Sequence, residues 1–301
     1  MFDTRCFPFL GLTLTVAFAT AALTQSAPAQ TRLDARYTMT LGGLPIGEGN
    51  WVIDINNNEY SATASGGTTG LMKVFTGGHG NTASRGTLTP GKLQTSVYAA
   101  TIITRKKTDQ TRLSVNGGNV KDLTLDPPQD KDSERIPITE DAKRGVQDPM
   151  NATLLRASGN GNPLIAEACD RKLAVFDGRL RYDLQLAYKR MDKVKADKGY
   201  AGPVVVCAVT FAPVAGFIPS RAAIQYMVKM RDLEIWLAPI AGTRVLVPFR
   251  AEGPTPIGKA VLEAEQFVTL PLPTREASKE ALKDAAKEPI KASVTGASNT
   301  Q

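Results

Sequence analysis

The chain has 301 residues, a formal net charge of +7, one histidine and three cysteines. A single histidine excludes a metal centre built on imidazoles, and the lack of any CxxC or Cys/His cluster argues against structural zinc and redox catalysis. No metal or cofactor is expected, because "GNGNP" and "NGGN" are turn material with no helix behind them and make poor phosphate loops.

The first thirty residues combine Arg5, an apolar run from Phe7 to Leu23 and the small-residue set Ala27-Pro28-Ala29. That pattern predicts a cleaved signal peptide over 1–29 and a periplasmic or secreted product, not an integral membrane protein. Export argues against a nucleic-acid partner. Removal of Cys6 leaves Cys169 and Cys207 in an oxidising compartment, where a disulfide between them is expected. The positive charge resides in the body of the chain, since Asp3 and Arg5 cancel and the tail from 274 carries five basic against four acidic groups. A basic body favours anionic neighbours such as lipid headgroups or acidic polysaccharide, and it also serves solubility.

From Leu33 to Leu270 short alternating segments are punctuated by Gly, Pro, Asn and Asp, which predicts one all-β, mostly antiparallel domain over 30–273. A large curved sheet, half-barrel or barrel accommodates that length. In "RYTMTL" the apolar positions are Tyr37, Met39 and Leu41, and in "NWVIDI" they are Trp51, Ile53 and Ile55. His79 lies in "TGGHGN", a glycine-rich turn without a GxSxG elbow nearby, so a catalytic role there has little support. "DPPQDKDSERIP" reads as a surface loop.

One short helix is predicted at "DPMNATLLRASGNG", with Asp148 as N-cap, Pro149 at the first helical position and Gly159 as the stop. Its apolar face would carry Met150, Leu154 and Ala157 and pack on the sheet or close one end of it. Asn151-Ala152-Thr153 matches a glycosylation sequon, but it falls inside this helix. In "CDRKLAVFDGRLRYDLQLAYKR" the Asp177-Gly178 pair predicts a two-residue hairpin turn. That register sets Val175 opposite Leu180, Leu173 opposite Tyr182 and Lys172 opposite Asp183. It gives Leu173, Val175, Leu180, Tyr182, Leu184 and Leu186 one face and Lys172, Phe176, Arg179, Arg181 and Asp183 the other. Arg179 and Arg181 could then form a fork for an anionic group. Alternatively they are a solvated face.

Strands are expected again at "PVVVCAVTF", "IQYMVKM", "LEIWLAP", "TRVLVPFRAEG" and "GKAVLEAEQFVTL". If "KLAVF" and "PVVVCAVTF" flank the same central strand they lie about 10 Å apart, too far for a disulfide, whose Cα atoms sit within about 7 Å; Cys169 must then lie beyond the end of its strand, where the chain can fold across its neighbour. Residues 274–301 lack bulky apolar groups and predict a frayed helical or disordered tail.

"YTMTLGGLPIGEG", "DPMNATLL", Cys169 with "VFDGRLRYDL", Cys207 with "FAPVAGF", and "EIWLAP" followed by "VPFRAEGPTPIGKAVLEAE" together resemble the bacterial secreted family known as domain of unknown function DUF3108. The resemblance covers most of residues 35–268 and implies a signal-bearing, β-rich envelope protein without implying an activity. A looser similarity in shape to lipoprotein-carrier half-barrels is an analogy of fold alone.

Three functions remain in view. The first is a carrier whose concave face holds a lipid-like ligand, with Arg179, Arg181, Tyr182, Met150, Leu154 and Trp236 as the candidate binding residues. The second is a scaffold with a filled core that binds an envelope protein. The third is a hydrolase using paired carboxylates, whose spatial pairing a sequence does not display.

Overall fold

The computed structural model describes residues 30–272 except 57, 71–76 and 90–91, so the expected signal peptide and charged tail lie outside the described residues. Seven strands come first: β1 (Thr31–Leu41), β2 (Leu44–Ile55), β3 (Glu59–Thr68), β4 (His79–Thr89), β5 (Lys92–Ile103), β6 (Thr108–Asn116) and β7 (Asn119–Asp126). A long connection then holds the one-turn helix α1 (Pro149–Ala152) and the short β8 (Leu155–Arg156). The second half runs through β9 (Arg171–Phe176), β10 (Arg181–Lys195), β11 (Lys198–Gly199) and β12 (Ala201–Ala215). It ends with α2 (Ala222–Lys229), β13 (Leu233–Pro239), β14 (Val245–Thr255) and β15 (Gly258–Pro271).

All strands belong to one sheet, ordered β7-β6-β5-β4-β3-β2-β1-β15-β14-β13-β12-β10-β9, with β11 attached to β15 and β8 to β14. Neighbours along that path are antiparallel and nearly all are hairpin-connected, as the turn-rich sequence predicts. β12 reaches β13 through α2, and one pair joins first to last: β1 lies beside β15, Leu33 opposite Thr269 and Tyr37 opposite Ala264.

β7 and β9 end the sheet, and the connection between them ties the two ends together. Val146 N–H donates to Gly118 O at the β6–β7 turn (2.7 Å), Gln147 N–H donates to Ala174 O of β9 (2.9 Å), and Phe176 N–H returns to Gln147 O (2.9 Å). Farther along, Arg179 donates to Pro127 O (2.7 Å) and Gln129 donates to Arg179 O (2.9 Å). Residues 127–147 therefore act as a strap, satisfying edge groups that a closed barrel would pair directly.

Apolar side chains form two cores. The larger contains Leu33, Tyr37, Trp51, Ile53, Tyr60, Tyr98, Phe249 and Phe267, together with Met150, Leu154 and Trp236. The smaller contains Val175, Leu186, Val205, Cys207, Leu237 and Leu246 around Cys169. Val204 and Val206 belong to the first core while Val205 and Cys207 belong to the second, so β12 is buried on both faces. That explains why "VVVCAV" is a continuous apolar run and does not alternate.

Four expectations change, three in local structure and one in the facing of Phe176. "IQYMVKM" lies in the helix α2 and is not a strand, so a second short α-helix joins the expected one among the described residues. Seven residues of this composition fit either period, and Ile224 and Val228, four apart, follow the helical one. The first helix is a single turn, because the chain passes directly from Thr153 into β8. Finally, the hairpin loop spans four residues: Asp177 accepts hydrogen bonds from Arg179 N–H and Leu180 N–H, both at 2.7 Å, which draws Leu180 into the loop. Arg181 consequently pairs with Phe176, and Tyr182 with Val175.

The shift is two residues, so facing is conserved, and Leu173, Val175 and Leu186 still share a buried face with Tyr182 and Leu184 against it. Lys172 lies opposite Gln185 but reaches Asp183 diagonally, at 3.0 Å. Phe176, assigned to the polar face, is fully buried in the larger core, because the strap covers the end of β9.

Candidate functional site

Asp148 is fully buried and acts as the N-cap of α1, accepting from Met150 N–H (2.8 Å) and Asn151 N–H (3.0 Å). Its other oxygen accepts from the hydroxyls of Ser84 on β4 (2.8 Å) and Thr95 on β5 (2.6 Å). Asn151 donates to the Tyr60 hydroxyl (2.8 Å), which lies 3.0 Å from Ser84 Oγ. Burial pushes the Asp148 carboxyl above the usual carboxylate range, against the pull of those donors. Burial, helped by the Asp148 charge, pushes the Tyr60 phenol up to about 12. The network pins α1 inside the sheet, and Met150 and Leu154 fill the larger core from there.

At the hairpin Arg179 faces Asp109 of β6 (3.6 Å) and donates to Pro127 O, while Arg181 pairs with Asp183 (2.6 Å). Both guanidinium groups are engaged within the fold, on different elements. Burial raises the Asp177 carboxyl, although it caps the turn. Tyr182 stacks on Phe211 (5.5 Å between centroids), and Phe211 meets Phe217 edge-on (5.6 Å).

Trp236 lies between two guanidinium groups, Arg190 at 5.3 Å and Arg250 at 5.2 Å from the ring, and its indole N–H donates to Asp192 (2.9 Å). Glu234 takes Lys189 and Arg190, while Arg250 also pairs with Glu252 (2.6 Å) and Glu263 (3.1 Å). This is a cation–π and ion-pair lattice across β10, β13, β14 and β15. Of the six sequence-based candidates, Met150, Leu154 and Trp236 therefore sit in the larger core, and Arg179, Arg181 and Tyr182 cluster at the hairpin.

Space for a ligand lies elsewhere, in clefts open to solvent. One, of about 300 Å³, is apolar and lies between α2 and β12, lined by Ile136, Pro213, Val214, Phe217, Ile224 and Val228 with Lys229 at its border. Val214 is 43% and Val228 38% exposed. A second, polar cleft of about 990 Å³ crosses β1 to β5, and His79 lines it. The apolar cleft escaped sequence reasoning because α2 was assigned as a strand; the Ile224 and Val228 spacing after Pro219 was the available signal. Among the described residues there is no cluster of three metal-ligating side chains, and no helix long and apolar enough to cross a membrane.

Cys169 lies in the 3-10 turn Ala166–Cys169 just before β9, and it is bonded to Cys207 of β12 with its Cα atoms 5.4 Å apart. The bridge spans β10, which separates β9 from β12 in the sheet, as the geometric requirement on Cys169 anticipated.

Fold and site together define a rolled, mostly antiparallel β-sheet protein, closed by an internal strap and stapled by one disulfide. The family described as "Protein of unknown function (DUF3108)" matches residues 36–265, and the chain belongs to that family. No curated protein matches the sequence. Among solved structures, the crystal structure of the beta-barrel-like protein of domain of unknown function DUF1849 from Brucella abortus is similar, at 10% identity and a TM-score of 0.42. The likeness covers 81% of this chain and 99% of that one.

Proposed function

We propose that the chain is a periplasmic or secreted binding protein for a hydrophobic, lipid-like ligand, seated in the cleft between α2 and β12. The observation that carries this reading is the apolar lining of that cleft, with Val214, Val228 and Ile136 each left more than a third exposed. Open apolar surface costs free energy in water, and an apolar guest recovers it. Every residue of α2 is at least partly exposed, so the helix can reposition over a guest without opening a core. The seat differs from the one expected beneath the first helix, whose apolar side chains fill the larger core.

Native mass spectrometry of the protein isolated gently from its own envelope tests this reading. A copurifying mass that extracts into organic solvent, and that disappears in Val214→Asp/Val228→Asp, is expected. A clean apo mass in the parent and no uptake of a fluorescent fatty acid would refute it. A second reading, an interaction scaffold of the envelope, is favoured by the filling of the larger core with Tyr37, Trp51, Tyr60, Phe249 and Phe267.

A further inference from the structure

One transverse row of polar side chains runs through the larger cleft. Arg36 of β1 lies opposite Asn50 of β2, Asn50 opposite Ser65 of β3, Ser65 opposite Asn81 of β4, and Asn81 opposite Thr101 of β5. At the usual strand spacing the row extends about 19 Å. All five residues line the 990 Å³ cleft, and the four on β2 to β5 also line an adjoining space of about 410 Å³. Arg36, Asn50, Ser65 and Asn81 are exposed, so the row presents donors and acceptors on the open face of the sheet.

The flanking rows set the walls. On one side Val52, Thr63, Ala83 and Ala99 align, and on the other Glu48, Gly67, His79 and Ile103. Ala83, Ala99 and Gly67 are short, so a bulky chain can approach the strands closely. The single cation of the row, Arg36, is matched by Glu48 on the neighbouring row, and both line the cleft. A near-neutral groove of amides and hydroxyls discriminates against phosphate and polyanions, which need convergent cations. An extended peptide is matched by the free edge of a sheet; this row lies on a face whose strands are already paired.

We infer that this groove binds an extended, uncharged, hydroxyl-rich chain, a neutral oligosaccharide, with the Asn50, Ser65, Asn81 and Thr101 side chains hydrogen-bonding successive units. The inference stands independently of the lipid-binding reading. It is tested on the purified protein by calorimetric titration with chitohexaose, maltohexaose and polygalacturonate, and by amide shift mapping with the sugar that binds. Saturable binding of a neutral hexasaccharide is expected, weakened about tenfold or more by Asn50→Ala/Asn81→Ala, which removes two amide contacts, and by Ser65→Arg, which fills the groove. No saturable binding of either neutral sugar, binding of the acidic polymer alone, or unchanged affinity in both variants overturns the inference. Should the variants fail to fold, the shift map of the parent protein decides: changes confined to β2–β5 support the groove, and changes elsewhere refute it.

Discussion

The Asp148 carboxylate and the Thr95 hydroxyl meet at 2.6 Å, joining the N-terminus of α1 to the middle of β5 inside the larger core. Two backbone N–H groups and two hydroxyls converge on that carboxylate, so four hydrogen bonds are lost together if the side chain is removed. Asp148→Ala is expected to destabilise by about 2 to 4 kcal/mol, measured by urea unfolding.

The pH dependence of the same group has a defined sign. Burial raises its folded-state pKa, so the folded state holds the proton more tightly than the unfolded chain does. Its contribution to stability is complete below the ordinary carboxylate pKa and is lost as pH rises through the folded value. Stability measured for the parent minus that for Asp148→Asn should therefore fall as pH rises from about 4 towards neutrality. A difference that grows with pH over that range would contradict the assignment.

The Cys169–Cys207 bridge closes a loop with a sequence separation of 38. Chain-entropy reasoning gives about 4 kcal/mol for a loop of that size. Cys169→Ala/Cys207→Ala should lower stability by roughly 2 to 4 kcal/mol, and the parent should show the same loss under reduction. Non-reducing peptide mapping should recover the two cysteines linked.

Gly216 has φ +84°, and a Cβ there would stand 2.0 Å from Arg179 O. Its N–H donates to Ile136 O of the strap (2.8 Å). Gly216→Ala should cost about 2 to 3 kcal/mol and increase hydrogen exchange in the strap before the sheet itself opens. Exchange that rises uniformly would argue against a locally tied seam.

Trp236 offers a graded test. Trp236→Phe keeps a ring between Arg190 and Arg250 but loses the bond to Asp192, at an expected cost of about 1 kcal/mol. Trp236→Ala also leaves a cavity in the larger core and should cost about 3 to 5 kcal/mol in the same assay.

The β architecture was legible because period-two segments and Gly, Asn and Asp turns are local signals. The N-cap role of Asp148 was legible for the same reason: the cap, Pro149 and the apolar residues that follow lie within one turn. The register at Asp177 was not, since the two-residue turn and the Asx-stabilised four-residue loop share the same first residues, and the outcome depends on Gly178 being buried against Thr111 and Leu123. Phe176 misled because alternation assumes one wet face, and the strap dries both. The partners of Arg179 and Arg181 were hidden in part by distance, as Asp109 and Pro127 are far away in sequence. The clefts depend on how strands curve and where a helix lands, which no periodicity encodes.

The pairing of β1 with β15 has a consequence for how the protein comes into being. Thr31 cannot meet Pro271 until about 240 further residues have been made. As the polypeptide emerges N-terminus first, the first seven strands can zip by successive hairpins, yet the β1 margin stays unpaired, offering Leu33 and Tyr37 to any passing strand. Closure of that pair is thus a long-range event, of the kind that slows folding and leaves an unpaired strand edge open to aggregation in the meantime.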